Sequence, residues 1–345
     1  LTNKDKRFLP IYVYNHKEQK HEVLFTGNSD AATLFNNFDI SKHFFNSVMI
    51  DIASIKELYK MLEYYLELHP ETKKAYWFVS YESVFLKKDE GEINTEEMPV
   101  KRYIEIMLSL DNLKNNIKKL LSLLCQRAEA SDADVSFTYY PFNIEGFTFF
   151  NSYNKKCTKE NLIYLVKILE LFKEKNIELT VLIPPYNMIY TSMIYLNDDF
   201  YKTAEDVKRI IVNTGMPVYD FSVKNQYTCQ NLLNGENFLY NDPKHANNFF
   251  GYKILKNLLF PEYSQDENLY VKLTKENLEE NLLKQRQEIF DFIFENIEYI
   301  EQYKTAPKSL YSKKFSLSDV SAEFNDDRMF LEEKKQEKDI NTNEP

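Results

Sequence analysis

Short apolar runs alternate with stretches of helical periodicity along most of this chain. Val23-Leu24-Phe25, Phe44-Phe45-Asn46-Ser47-Val48-Met49, Ala75-Tyr76-Trp77-Phe78-Val79, Leu179-Thr180-Val181-Leu182-Ile183 and Val218-Tyr219-Asp220-Phe221 are five such runs. Each has the length and continuous apolar character of a strand buried on both faces. Between them, Ile55, Leu58, Leu62, Tyr65 and Leu66 fall at helical spacing in residues 54–68, before a His69-Pro70 stop. Leu162, Leu165, Leu169 and Phe172 form one apolar stripe over 161–175, with Thr158 as a candidate cap. Further helices are predicted over about 200–214 and 246–259. Strand–helix alternation from residue 21 to 259 predicts an α/β protein, three layers deep, around a mostly parallel five-stranded sheet.

The flanks follow a different pattern. Residues 1–20 are polar around Ile11-Tyr12-Val13-Tyr14, a lead-in or an edge strand. Residues 95–157 lack the strand–helix rhythm and are predicted to be a helical and loop insertion, its 130–157 part rich in aromatics and Asn. Leu278, Leu282, Ile289, Ile293 and Ile297 predict one amphipathic helix across 274–303. The chain therefore divides into an α/β domain over 1–265, a helical extension over 266–305 and a flexible polar tail over 306–345.

Composition narrows the function. A net charge of −10, with Lys and Arg interspersed among Asp and Glu, argues against a nucleic-acid partner, which needs a basic face. With 6 Gly, and neither a GxGxxG nor a GxxxxGK[ST] pattern, the sequence argues against a glycine-rich phosphate cradle. Cys125, Cys157 and Cys229 have no metal-ligand spacing and read as ordinary thiols. No apolar run is long enough to cross a bilayer. The sequence starts at Leu1 rather than Met and reads as a fragment or a processed form, from which a signal peptide or membrane anchor upstream could have been removed.

Two turns carry chemistry. After the first strand comes Thr26-Gly27-Asn28-Ser29-Asp30, leading into the helix-like Ala31-Ala32-Thr33-Leu34-Phe35. A serine there sits at the carboxyl end of a strand, beside the N–H groups of a new helix, which suits a nucleophile with its own oxyanion donor. The second turn is Asn241-Asp242-Pro243-Lys244-His245, ahead of the last helix of the α/β unit. Pro243 restrains it, so Asp242 can hold the imidazole of His245 in one tautomer and leave Nε2 as a base. His16, His21, His43 and His69 read as surface or helix-end residues. A metal at Asp242 and His245 is disfavoured because no further His or Cys lies nearby in sequence.

With these blocks the chain resembles the SGNH (GDSL-type) hydrolase superfamily over roughly residues 20–260. Gly27-Asn28-Ser29-Asp30 stands at the Gly-Asp-Ser nucleophile block, and Asp242-Pro243-Lys244-His245 at the Asp-x-x-His block. Ile183-Pro184-Pro185-Tyr186, Tyr219-Asp220-Phe221, Tyr240-Asn241-Asp242 and the segment from Arg102-Tyr103 to Leu113-Lys114 are similar to extracytoplasmic, membrane-anchored members. Those members, DltD-like and AlgJ-like, work beside membrane-bound O-acyltransferases. Two departures stand out. Asn28 replaces the Asp before the serine, and Val79-Ser80-Tyr81-Glu82 stands where the family has Gly-x-Asn-Asp, so a side-chain oxyanion donor is missing.

The resemblance implies an SGNH/flavodoxin-like fold and a Ser29–His245–Asp242 esterase or O-acyltransferase. It would act on acyl esters, acetyl or D-alanyl in type, of cell-envelope glycans or polymers, with no cofactor or metal. From their places at strand ends in this sequence, Asn46 is the candidate to replace the missing oxyanion donor beside the Ser29 N–H, and Tyr81, Tyr186 and Tyr240 are candidates to line a substrate groove or, as the blander alternative, to pack in an aromatic-rich core. A membrane O-acyltransferase is the implied partner, and an extracytoplasmic, membrane-anchored setting the implied location. The competing reading is a non-catalytic SGNH-like module that binds glycan or docks such an acyltransferase.

Overall fold

The computed structural model describes residues 22–35, 47–51, 54–85, 137–138, 159–233, 239–240, 242–263, 268–305, 314–315 and most of 326–334. Its centre is a sheet of six strands: β1 (Val23–Gly27), β2 (Ser47–Asp51), β3 (Lys74–Phe78), β5 (Glu178–Ile183), β6 (Val218–Asp220) and β7 (Val271–Leu273). They lie in the order β2-β1-β3-β5-β6-β7. The first five pair in parallel and β7 joins the β6 edge antiparallel. A separate antiparallel pair joins β4 (Phe137–Thr138) to β8 (Lys314–Phe315). The five parallel strands agree with the apolar runs. β7 adds a sixth strand, from a short stretch that carries no such signal.

All five residues of β1 are buried. Successive side chains of a strand point to opposite faces, so helices must cover both sides of the sheet. One group of covering helices comprises α2 (Ile55–Leu68), α4 (Lys159–Glu174) and α6 (Asp198–Asn213), in contact as α2–α4 and α4–α6. α1 (Ser29–Phe35) and α7 (Asn248–Leu259) form a second contacting pair. The α2 helix begins where Ser54 accepts a hydrogen bond from Glu57 N–H and ends at His69, one residue before Pro70. Its buried Ile55, Leu58, Leu62, Tyr65 and Leu66 are the periodic set of the sequence. Inside the sheet, Phe25 stacks on Tyr76 with ring centroids 5.0 Å apart.

Three elements differ from the sequence expectation. The short α3 (Tyr81–Phe85) follows β3 directly, and α5 (Met188–Tyr195) follows β5. Every α5 residue is buried, so the helix has no polar face and no amphipathic period to reveal it. The single helix expected over 274–303 is two, α8 (Leu278–Glu295) and α9 (Ile297–Thr305), separated at Asn296.

The segment read as a flexible tail also docks in part. Leu331 is fully buried, Phe330 meets Phe260 edge-on at 5.4 Å, and Asp327 pairs with Lys256 at 2.6 Å and Lys253 at 3.4 Å. The 1–21, 86–136 and 139–158 stretches lie outside the described residues, and with them Cys125, Cys157 and most of the expected insertion. Among the described residues no helix is long and apolar enough to cross a membrane.

The register sets where chemistry can occur. Gly27 pairs with Asp51, Phe78 with Leu182 and Ile183 with Asp220, so the five parallel strands finish along one edge. Ser29 starts α1 at that edge, and α7 begins there after the Asp242–His245 turn. The two helices touch where Gly251 faces Leu34: a Cβ at Gly251 would collide with the Leu34 carbonyl oxygen. Backbone cannot yield as a flexible side chain can, so α1 and α7 must part for any larger residue. Gly251→Ala is therefore expected to cost about 1–3 kcal/mol of stability. It should also separate Ser29 from His245. Thermal melting, with the rate of covalent labelling at Ser29 measured on the folded fraction, checks both effects.

Candidate active site

Asn28 is buried and shapes the turn that carries Ser29. Its Oδ1 accepts the Asp30 N–H at 2.9 Å and its carbonyl accepts the Ala31 N–H at 3.0 Å. These bonds satisfy two donors that the start of α1 would otherwise leave open. Gly27 is needed for space: a Cβ there would come within 2.8 Å of the Phe78 carbonyl and 2.9 Å of Ala31 Cβ. The consequence is an exposed Ser29 between two buried neighbours, Asn28 and Asp30.

The second turn is held from several sides. Asp242 Oδ1 accepts the backbone N–H groups of both Lys244 and His245, each at 2.9 Å. The Pro243 carbonyl accepts the Asn187 N–H at 2.9 Å, tying the turn to the start of α5. A Tyr240–Ala246 bridge and an Asn247 N–H to Leu239 carbonyl bond close the loop behind it. Asn247 then caps α7 through the Phe249 N–H.

The two turns meet across 216 residues of sequence. His245 Nδ1 donates to Asp242 Oδ2 at 2.6 Å, and His245 Nε2 lies 2.8 Å from Ser29 Oγ. Since Asp242 takes the Nδ1 proton, Nε2 is the acceptor for the serine hydroxyl. The His245 side chain remains 19% exposed, and Ser29 beside it is exposed. Ser29, His245 and Asp242 thus form one continuous hydrogen-bonded chain, the arrangement in which a serine can serve as nucleophile, an imidazole as base and a carboxylate as its orienting group.

None of the comparisons with known families, characterised proteins or solved structures returns a match. The geometry must therefore be judged by itself.

Two further residues complete the cluster, and sequence spacing gave no sign of either. Asp30 is buried, with Oδ2 accepting the Tyr186 hydroxyl at 3.1 Å. Lys244 is also buried, its Nζ 3.2 Å from Asp30 Oδ1 and 3.4 Å from Ser29 Oγ. Asp30 Oδ1 lies 3.5 Å from His245 Nε2 as well. The only sequence cue was the pair of charges flanking the two motif residues, Ser29-Asp30 and Lys244-His245.

The other sequence-predicted residues divide into two groups. Tyr81, Tyr186 and Tyr240 are all buried, which corrects their assignment as groove platforms. Tyr186 packs between Tyr81 (5.7 Å) and Tyr190 (4.9 Å), and Tyr240 meets Phe250 edge-on at 5.9 Å. Tyr186 touches the cluster only through the hydrogen bond from its hydroxyl to Asp30. Asn46 lies outside the described residues. Among those described, no group of three or more His, Cys, Asp or Glu could hold a metal ion.

Electrostatics couple the acid and base. Burial alone would lower the imidazole pKa of His245, but the Asp242 charge and hydrogen bond, helped by Asp30, hold it above its ordinary value. Lys244 opposes that rise. Burial would raise Asp242, yet His245 and the two backbone N–H groups keep its carboxyl below the usual range. His245 must be neutral to take the serine proton, so reactivity falls as pH drops through this raised pKa. The lower limb of a kcat/KM profile is therefore expected above about pH 6.5, the unperturbed histidine value. Asp242→Asn removes the largest raising influence, so it should move that limb to lower pH while depressing the plateau. Ester hydrolysis or Ser29 labelling across pH 5–9 provides the profile.

Proposed function

We propose that this protein is a serine esterase or O-acyltransferase of SGNH type, with the flavodoxin-like arrangement of that superfamily. The observation that carries the reading is the continuous Ser29–His245–Asp242 hydrogen-bonded chain, 2.8 and 2.6 Å in its two links. The parallel strand order β2-β1-β3-β5-β6 supports the fold, because it is the doubly wound order with ligands at the carboxyl edge. Both turns stand on that edge.

In the reaction, Ser29 Oγ bonds to an ester carbonyl carbon as its proton passes to His245 Nε2. Asp242 stabilises the resulting imidazolium. The carbonyl electrons move onto oxygen, where the Ser29 backbone N–H is one donor for the oxyanion. Collapse breaks the bond to the alcohol, which leaves with the proton from His245. Water or a sugar hydroxyl then attacks the acyl-serine, giving its proton to His245 and restoring Ser29. Water yields hydrolysis and the sugar yields transfer.

The acyl substrate class, an acetyl or D-alanyl ester of a cell-envelope glycan or polymer, follows from the resemblance to DltD-like and AlgJ-like proteins. So do an extracytoplasmic, anchored setting and a membrane O-acyltransferase partner. A non-catalytic module that binds glycan or docks an acyltransferase draws support from Val79-Ser80-Tyr81-Glu82, which lacks the family's third block. The serine–imidazole contact, which a binding module does not need, favours the enzyme.

Fluorophosphonate labelling followed by peptide mass spectrometry tests this reading. One adduct at Ser29 is expected, absent from Ser29→Ala and from His245→Ala. A folded protein that takes up no label would favour the binding module.

A further inference from the structure

We infer that Lys244 is a catalytic residue, its ammonium serving as the second oxyanion donor beside the Ser29 N–H. The inference rests on the reading of Ser29 as an acyl-transfer nucleophile and adds a residue to it. Lys244 stands between the orienting carboxylate and the base in the chain, and its backbone is fixed by the Asp242 Oδ1 bond at 2.9 Å. From that anchor the side chain runs inward and is 5% exposed. A buried ammonium is unfavourable unless a counter-charge and hydrogen bonds hold it. Asp30 supplies the charge at 3.2 Å. Asp30 is in turn fixed by Tyr186 at 3.1 Å and by the Asn28 turn, so the ammonium has a defined place.

That place is 3.4 Å from Ser29 Oγ. In the resting site this is a long contact with a neutral hydroxyl. When Oγ bonds to a carbonyl carbon, the former carbonyl oxygen becomes anionic immediately beside Oγ. Donors act best about 2.7–3.1 Å from that new oxygen rather than from the nucleophile. A cation on a flexible stem can turn from Asp30 toward the anion while keeping both in reach. Electrostatic stabilisation of this kind is stronger at a buried position than in water.

Lys244 could alternatively do no more than cancel the charge of Asp30. Four variants of the full chain, Lys244→Met, Lys244→Arg, Asp30→Asn and Lys244→Met with Asp30→Asn, separate these roles. The probe is p-nitrophenyl acetate, with kcat, KM and the pH profile measured and folding followed by circular dichroism. As a donor, Lys244 gives a plateau kcat reduced on the order of 10²–10³-fold in Lys244→Met, with KM little changed. Lys244→Arg, which keeps a cation and N–H donors, recovers part of the rate. The double variant stays as slow as Lys244→Met, because removing Asp30 restores no donor.

A double variant that returns to the wild-type plateau would reduce Lys244 to charge compensation and overturn the proposal. So would a Lys244→Met protein whose plateau is unchanged while its lower limb moves to higher pH. Such a shift alone is what loss of a positive neighbour of His245 produces, with Asp242 and Asp30 left facing the ring. If Lys244→Met does not fold, the double variant, which buries no unpaired charge, decides by its plateau. Wild-type protein without turnover or a Ser29 adduct would remove the esterase reading and this inference together. Active wild type with an undiminished Lys244→Met removes this inference alone.

Discussion

The site depends on one carboxylate. Asp242 uses Oδ1 to close its own turn on the backbone of Lys244 and His245, and Oδ2 to hold the imidazole. The same group therefore fixes the ring's position, selects its tautomer and stabilises its charged form. A carboxylate engaged by two backbone donors and a ring N–H is strongly favoured as the anion, which is why burial fails to raise its pKa. His245 then meets a serine that the chain supplies from the other end of the domain. That meeting depends on the close approach of α1 and α7, where Gly251 lies against the Leu34 backbone. A short-range turn and a long-range helix contact thus converge on a single 2.8 Å hydrogen bond.

Around this centre lies a second, less visible pair. Asp30 and Lys244 are both buried and pair directly at 3.2 Å, with the Lys244 ammonium 3.4 Å from Ser29 Oγ. Replacing such an ion pair with apolar groups of similar volume is often neutral or stabilising, so stability alone gives little reason to keep it. Its location gives a better one: Lys244 approaches Ser29 Oγ and Asp30 approaches His245 Nε2. The charges sit where a reaction through Ser29 would create a new anion and a new cation. Tyr186 belongs with this pair, since its hydroxyl holds Asp30 while its ring packs in the core.

Much of this was legible in the chain. The five parallel strands were visible because strands covered on both faces read as unbroken apolar runs. The serine and Asp-x-x-His turns were visible because each is a local arrangement of turn residues with a chemical group. What escaped had physical causes. α5 is buried on every side, and MIYTSMIY therefore shows no periodicity. β7 is three residues long and paired only at an edge, with Lys272 exposed in its middle. The Tyr rings were misplaced because an aromatic at a strand end is equally suited to a groove and to a core. Lys244 and Asp30 carry no role in the sequence reading, since nothing local reveals that their turns come together.

The far edge of the sheet explains why the chain continues beyond α7. Asp220, at the end of β6, is buried and accepts Lys208 Nζ at 2.6 Å together with Ser222 N–H and Oγ. Lys208 also donates to Gln285 of α8 at 2.6 Å. The charges on β6 and α6 are thus completed by a residue from the C-terminal extension. Glu205 of α6 is likewise held by Arg286 of α8, at 3.0 and 2.6 Å. With β7 extending the sheet and α8 packed on α5, the extension is bonded into the same structure that carries the site. α5 is the helix whose first turn, through Asn187, holds the Pro243 carbonyl. The contacts of α8 therefore lead, through α5, to the turn that carries His245, so α8 is linked to the site without reaching it.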